Sequence, residues 1–459
     1  MRELDRGTRW ALVAMGLGVF LIANDFTALS VALPQMERDL DTDLSTVQWV
    51  INAYALVFGV LTVSGGRLAD LFGRRRIFVL GAVIFAFCSL LAAVAPNAAL
   101  LIAARALMAV GGALMWPATL SMTYTLLPEA RRGLAGALVL GVAGLGNACG
   151  PLIGGALTEL LSWRWVLAVN VPVALAAIAV VLRNVPESRG EEEDRRFDVA
   201  GMLLVTGSLV ALLVALDQVA TWGWDDSRVL ALLAAFVVLM AAFAVRERTA
   251  GSIALVPRDV AADRGFRAVL LAVLLMSMTF FSAMVYVPQF MEKELGFSAL
   301  GAGAGLLPLL LLFGGVSFLS GPLYERFGGR AVILAGALLL PVAMVLLSLP
   351  GAGSGYLALV PGMALLGLGV GLFYPSAATA AVSSLAESRS GLASGLLYML
   401  QVAGGSLGLG AATTIVSDAP SLVEGIQRAM QVGAAFAAVG VLVVLLGVRP
   451  RRPAAVADP

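Results

Sequence analysis

The chain has no histidine, a single lysine (Lys293), two cysteines and only 13% charged residues in 459 positions. Without histidine it lacks the commonest metal ligand and the usual general base near neutral pH. No metal site and no cofactor are therefore expected. Cys88 and Cys149 both fall inside apolar stretches, so a disulfide framework is not expected either. A formal net charge of +1 carries no footprint of nucleic-acid binding.

Apolar residues are abundant: 60% of the chain is hydrophobic and the mean hydropathy is +0.95. A bilayer core of about 30 Å asks a spanning helix for about 20 apolar residues, and stretches of that length recur throughout. Helices satisfy their own backbone hydrogen bonds in lipid, so an all-α polytopic membrane protein is expected. Fourteen spans are predicted, at 10–33, 46–66, 77–95, 98–124, 133–157, 163–182, 198–218, 228–245, 266–289, 299–322, 330–349, 355–376, 391–416 and 429–448. The first follows Arg6 and Arg9, as a signal peptide would, but its 24 residues are too many for one. With the N-terminus inside, the loops of one side carry 24 of the 30 basic residues and those of the other carry five, Arg105 lying within a span. That asymmetry predicts both termini in the cytoplasm. The scarcity of lysine beside abundant alanine and glycine suggests a GC-rich bacterial genome, hence a bacterial cytoplasmic membrane.

The chain also repeats itself. LPQMERDL at 33–40 recurs as VPQFMEKEL at 287–295, and GRLADLFGRR at 66–75 as GPLYERFGGR at 321–330, an offset of 255. Glu129, Arg131, Gly133, Leu134 and Ala135 recur as Glu387, Arg389, Gly391, Leu392 and Ala393 at an offset of 258, which Pro117 and Pro375 share. Six spans end near residue 182, yet the second copy begins near 266. The expected plan is a first six-helix bundle (1–183), a linker with two inserted helices (184–264) and a second six-helix bundle (265–459). Duplicated halves with a site between them near the membrane midplane are the architecture of secondary transporters.

Asp25, in FLIANDFTALSVALP, is the only ionisable residue between Trp10 and Leu33. Such a group within a span is a functional-site hypothesis by default. Counted along their helices at 1.5 Å per residue, Asp25 and Arg105 both sit roughly 10–12 Å from the outer end and are able to meet. Burial disfavours the carboxylate charge and a nearby guanidinium favours it. A static ion pair and a proton-coupling pair both remain open at this point. Gly146, Gly150 and Gly154 recur every four residues along GNACGPLIGG, so they share a face that admits close approach of another helix, and Pro151 is expected to bend that helix.

These residues resemble the major facilitator superfamily and, within it, the fourteen-helix drug:proton antiporter-2 family. GRLADLFGRRR at 66–76 resembles the superfamily's loop signature between the second and third spans. The resemblance implies a cytoplasmic gate formed by Gly66, Asp70, Gly73, Arg74 and Arg75, echoed by Glu325, Arg326 and Arg330. The arginines also serve as positive-inside anchors. NDFTALSVALP resembles the family's first-helix signature. RALMAVGGA resembles its fourth-helix arginine motif, with Met108 and Ala109 departing from the pattern. GNACGPLIGG, including Gly155, resembles the fifth-helix antiporter motif that accompanies export, and WRWVLAVNVP at 163–172 resembles this branch too. In the second half Gly404, Gly408 and Ala412 repeat the small face, with Leu409 in place of the proline. The resemblance implies alternating access, with Asp25 and Arg105 as the proton-coupling pair.

No carboxylate falls inside spans nine to fourteen, and Asp217 lies at the outer end of span seven. The expected cavity lining is aromatic, thioether and amide: Trp49, Asn52, Met276, Phe280, Phe281, Tyr286, Tyr398 and Gln401. The expected function is proton-coupled export of small hydrophobic or amphipathic drugs or antibiotics by a monomer in the lipid bilayer. An endogenous lipid or metabolite as cargo, or a non-transporting membrane sensor, are the alternatives. An enzyme is not expected.

Overall fold

In a computed structural model, the described residues are 6–448 apart from 30–31, 43, 129–130, 132–133, 190–197, 251–255, 257–259, 261 and 387–388. Among them are fourteen helical spans long and apolar enough to cross a membrane, the sixth counted over Trp163–Asn184 with Asn170–Asn184 as its longer part. In chain order they are α1 (Arg6–Ala28), α2 (Leu44–Phe72), α3 (Arg74–Ala93), α4 (Ala98–Leu126), α5 (Leu134–Leu160), α6 (Asn170–Asn184), α7 (Val199–Trp222), α8 (Ser227–Thr249), α9 (Arg264–Lys293), α10 (Leu307–Phe327), α11 (Gly329–Leu347), α12 (Val360–Ser384), α13 (Ser390–Ser417) and α14 (Leu422–Gly447). The expected all-α class and the span count hold.

Several boundaries differ, each for a physical reason. The predicted second span stops at 66, but α2 runs on to Phe72, so most of the expected loop signature is helical. Apolarity marks the thickness of lipid, whereas Arg67 and Asp70 extend the helix because neighbouring helices bury both. The reversal is left to Gly73 alone, at φ 112°, a conformation that costs glycine little. Its repeat partner Gly328 makes the same turn at φ 82°. The sixth span is broken: a short helix, Trp163–Ala168, precedes α6. Pro172, in the first turn of α6, has no N–H for the carbonyl four residues back.

Packing follows the repeat. In the first half α1 packs on α5 and α6, α4 on α2 and α3, and α3 on α6. In the second half α9 packs on α13 and α14, α12 on α10 and α11, and α11 on α14. Two seams join the halves, α2 with α13 and α5 with α10, and the repeat exchanges one for the other. The glycine faces behave as expected. Gly146, Gly150 and Gly154 lie against Phe20, Thr27 and Ala28 of α1, while Gly404 and Gly408 lie against Leu274 and Met278 of α9. The side chain of Pro151 lies outside the described residues, as does that of Asp217; the helix backbone continues through both positions.

The inserted hairpin α7–α8 rests on the α2/α13 seam. α7 packs on both helices, Leu216 covers Gly410, and Trp224 Nε1 donates to Thr414 Oγ1 at 2.6 Å. Arg246 near the end of α8 pairs with Asp198 at the start of α7 at 3.1 Å. Burial there opposes ionisation of Asp198, but the Arg246 side chain and the Gly201 and Ala200 N–H groups more than offset it. The carboxyl is therefore held below its usual value. Along α8, Val229 is the one buried residue among those described, as fits a lipid-facing helix.

Gly154→Val should force α1 and α5 apart at a cost of about 1–3 kcal/mol, because a β-carbon there collides with the Ala28 carbonyl. Gly315→Ala meets nothing within 4 Å. Thermal unfolding in detergent should show a clear loss for the first and none for the second; equal melting temperatures would refute the packing account.

Candidate functional site

Asp25 sits one turn before the end of α1, with no exposed side-chain surface. The predicted helix ran to Leu33, whereas α1 ends at Ala28. Beyond it, the short helix Leu33–Asp39 is tied to the start of the sixth span: Trp163 Nε1 donates to Asp39 Oδ2 at 2.9 Å. Arg105, from α4, forms an ion pair through Nη1 with Asp25 Oδ2. Its Nε donates to the Val50 carbonyl of α2 at 3.1 Å, and its guanidinium lies 4.2 Å from the centre of the Tyr54 ring. The other carboxylate oxygen, Oδ1, accepts from Asn170 Nδ2 of α6 at 3.0 Å. The same amide nitrogen donates to Ser89 Oγ of α3 at 3.1 Å, and Ser89 donates to the Leu167 carbonyl at 2.8 Å. Five helices of the first half thus converge on one carboxylate. Arg105 Nη2 has no hydrogen-bond partner among the described residues, so the guanidinium is not fully satisfied.

The second half lacks this charge. An offset of 254 between LPQ at 33–35 and VPQ at 287–289 makes Thr279 the counterpart of Asp25. The 258 offset makes Met363 the counterpart of Arg105. Thr279 still bonds the last helix of its bundle, Oγ1 donating to the Gly433 carbonyl at 3.0 Å. The scaffold is duplicated and the ion pair is not.

A second cluster lies where α2 meets α13. Asp70 accepts from the N–H groups of Gly391 and Leu392 at 3.1 and 2.9 Å and from Arg74 Nη2 at 3.1 Å. A carboxylate at the N-terminus of α13 is favoured by the helix dipole, so Asp70 fastens one half to the other. Gly66 and Gly391 are in backbone contact, each without room for a β-carbon. Arg74 is buried with Asp70. Arg75 donates its N–H to Glu187 at 3.1 Å, and the exposed Arg76 lies 3.7 Å from the same carboxylate.

The echo in the second half is looser. Glu325 and Arg326 are exposed, Arg326 stacks 5.2 Å from Phe327, and Arg330 donates to the Leu445 carbonyl at 2.8 Å. Arg131 is the cation that acts on Glu325. Gly133, where the mirrored contact would fall, and Glu129 and Glu387 of the repeat lie outside the described residues. On α5, Gly155 is half-buried beside the contact glycines.

The proposed lining residues divide. Tyr398 of α13 crosses the seam to meet Phe58 of α2 and Trp116 of α4, with ring centres 5.1 and 4.7 Å away. One turn on, Gln401 has a buried Oε1 without a hydrogen-bond partner among the described residues. Trp49 and Asn52 are half-buried near the start of α2. Phe280 and Phe281 meet edge to face at 5.4 Å, with Phe281 against Gly405. Tyr286 uses its hydroxyl on Thr413 Oγ1 at 2.8 Å, and Met276 is fully buried against Gly440 of α14. These last two are packed within the second half.

Sequence reasoning did not single out Phe58, Trp116, Tyr54, Ser89 or Glu187, nor Asn170 as a partner of Asp25. A signal existed for two: Phe58 repeats as Phe313, and the aromatic before Pro117 repeats as Tyr374 before Pro375.

The Major Facilitator Superfamily profile matches residues 15–409 and again 269–458, and the chain belongs to that superfamily of transporters, as a multi-pass protein of the bacterial cytoplasmic membrane. It is 36% identical to the puromycin resistance protein pur8 of Streptomyces alboniger over 94% of this chain and 89% of that protein. It is 32% identical to the tetracenomycin C resistance and export protein of Streptomyces glaucescens over 99% and 82%. It is 30% identical to the multidrug resistance protein Stp of Mycobacterium tuberculosis over 88% and 75%. The crystal structure of the human organic anion transporter MFSD10 (TETRAN) superposes with a TM-score of 0.72 at 15% identity, covering 96% of this chain and all of that one; this likeness is one of fold.

Asp70→Ala would take from buried Arg74 the carboxylate it is paired with and from the start of α13 its acceptor, at a cost of about 3–5 kcal/mol, whereas Glu325→Ala removes an exposed group. Asp70→Ala should therefore lower the melting temperature of the purified protein far more, and similar losses for the two would contradict this account of the seam.

Proposed function

We propose that this chain is a proton-coupled antiporter that exports hydrophobic or amphipathic drugs or antibiotics across the cytoplasmic membrane by alternating access. The observation that carries the reading is the fully buried Asp25–Arg105 pair in a duplicated scaffold whose counterpart positions, Thr279 and Met363, are neutral. The relatives named for antibiotic resistance and export support the cargo class. With both termini in the cytoplasm, the end fastened by Asp70 is the cytoplasmic one. The Gly66–Gly391 and Gly136–Pro375 crossings between halves lie toward that end, as in a state closed to the cytoplasm. The two six-helix halves rock about these seams, while α7–α8 rides on one of them.

A buried charge held by its partner is costly to strip, so Asp25 exchanges partner for proton rather than standing bare. In one state Arg105 and Asn170 hold the carboxylate. In the other a proton on Oδ1 neutralises it, and Arg105 holds Oδ2 less strongly while keeping the Val50 carbonyl. Tyr54, Phe58, Trp116, Tyr398 and Gln401 line the path between the halves with aromatic faces and one amide, suited to flat, weakly polar cargo.

One carboxylate moves one proton per cycle. A membrane potential of about 100 mV contributes roughly 2.3 kcal/mol per charge, and one pH unit adds about 1.4 kcal/mol. Exchange for a neutral substrate therefore sustains a gradient of roughly 500-fold. Exchange for a monovalent cation is electroneutral and leaves about tenfold. Neutral or weakly charged substrates are expected to be favoured and dications to be poor.

The test uses inverted membrane vesicles with an imposed pH gradient. Adding a lipophilic drug should trigger proton release with the parent protein and none with Asp25→Asn. Equal release from both would make Asp25 a structural residue. Efflux of a dicationic biocide as efficient as that of neutral compounds would refute the one-proton account.

A further inference from the structure

Helix α6 has a connection at each end. At its start, Asn170 Nδ2 holds Asp25 at 3.0 Å and Ser89 at 3.1 Å, and Ser89 in turn holds the Leu167 carbonyl at 2.8 Å. Leu167 lies beside the break that precedes α6. At the other end, the segment that leaves α6 caps α3. The Arg74 N–H donates to the Ser188 carbonyl at 2.9 Å and the Arg75 N–H to Glu187 Oε1 at 3.1 Å. Arg75 Nη1 donates to the Val185 carbonyl at 3.1 Å. First-turn N–H groups have no partner within their own helix, so this segment supplies what α3 lacks. Arg74, capped in this way, is the arginine that holds Asp70. Glu187 also fills the space over Gly73, the turn on which the fastening depends. The 15 residues of α6 between these connections span about 22 Å.

We infer that α6 carries the protonation state of Asp25 to the Asp70 fastening, with Asn170 as the positioning residue that senses it and Glu187 as the one that delivers it. The inference rests on the reading of Asp25 as the proton carrier. With Asp25 ionised, both Asn170 N–H groups are donated, one to the carboxylate and one to Ser89, and the Ser89 hydrogen goes to Leu167. A proton arriving at Oδ1 turns that oxygen from acceptor into donor, since Oδ2 is held by Arg105. The Asn170 amide then turns over and presents its carbonyl oxygen. That oxygen accepts from Asp25 and from Ser89, whose hydrogen leaves Leu167. One proton is taken up, both N–H···O bonds of Asn170 are replaced by O–H···O bonds that it accepts, the Ser89–Leu167 bond is lost, and α3 loses its tie to the break before α6. A shift of α6 is transmitted to Val185, Glu187 and Ser188, and so to the start of α3 and Arg74. The titratable groups facing Asp25 are Arg105 from α4 and Tyr54 from α2; α3 and α6 present Ser89 and Asn170. The fastening adds Asp70, Arg74, Arg75, Arg76 and Glu187.

The experiment therefore works at constant pH, where Asp70 and Glu187 keep their own ionisation, and uses Asp25→Asn to mimic the protonated state. Spin labels are placed at Phe72→Cys and Ala386→Cys, exposed positions on either side of the fastening, with Cys88 and Cys149 replaced by alanine. Distance distributions are recorded in lipid nanodiscs. Asp25→Asn should change the ratio of near to far populations by about fivefold or more, the lower end of ordinary coupling. The same substitution should change nothing in the Asn170→Ala or Glu187→Ala background. Ser89→Ala, which leaves Asp25 its direct contacts, should also abolish the response and stands in if Asn170→Ala fails to fold. An undiminished response in all three backgrounds overturns the inference. Loss of proton release in Asp25→Asn with an unmoved fastening overturns it while leaving the antiporter reading intact. Proton release retained in Asp25→Asn removes that reading, and the link with it.

Discussion

A carboxylate and a guanidinium with no exposed surface place the strongest constraint on this molecule. Neither ion is tolerable alone in a low-dielectric interior, and even the pair needs further hydrogen bonds to be retained. Those bonds come from the Val50 carbonyl, Asn170 and, through it, Ser89. Helices α1, α2, α3, α4 and α6 are thereby positioned around one side chain. Arg105 Nη2 has no hydrogen-bond partner among the described residues, so the pair is held by fewer bonds than the guanidinium offers.

Small residues let charge and rigidity coexist. α5 approaches α1 through Gly146, Gly150 and Gly154, and α13 approaches α9 through Gly404 and Gly408. Helix association in lipid is driven by such close packing rather than by water. The seams between the halves use the same means, at Gly66 with Gly391 and at Gly144 with Gly314. Glycine contacts slide with few side chains to disengage, whereas Asp70 at the start of α13 is a specific electrostatic stop. Among the described residues the seams are thus smooth apart from the charged fastening at Asp70.

The duplication makes the asymmetries informative. The repeat preserves the turns at Gly73 and Gly328 and the aromatic–proline pairs before Pro117 and Pro375. It does not preserve Asp25, Arg105 or the burial of Asp70. Where the two copies agree the residues serve the shared scaffold, and where they differ the two halves are chemically distinct. The hairpin α7–α8 adds a third asymmetry, since it covers only the α2/α13 seam.

Composition and hydrophobic run length determined the membrane, the fourteen spans and the all-α class, because a bilayer filters sequence by length and polarity alone. The internal repeat determined the pairing of halves, and the isolation of Asp25 and Arg105 among apolar residues marked them as a candidate site. The extension of α2 to Phe72 was not legible, since burial by other helices, not apolarity, sustains it. Nor was the meeting of Asn170 with Asp25, 145 residues apart, or the capping of α3 by Glu187. Those contacts depend on which helices pack together and how each is rotated, and a single chain's spacing records the faces of a helix but not its neighbours. Only the tertiary structure decided that Met276 and Tyr286 point into their own bundle while Tyr398 crosses to the other.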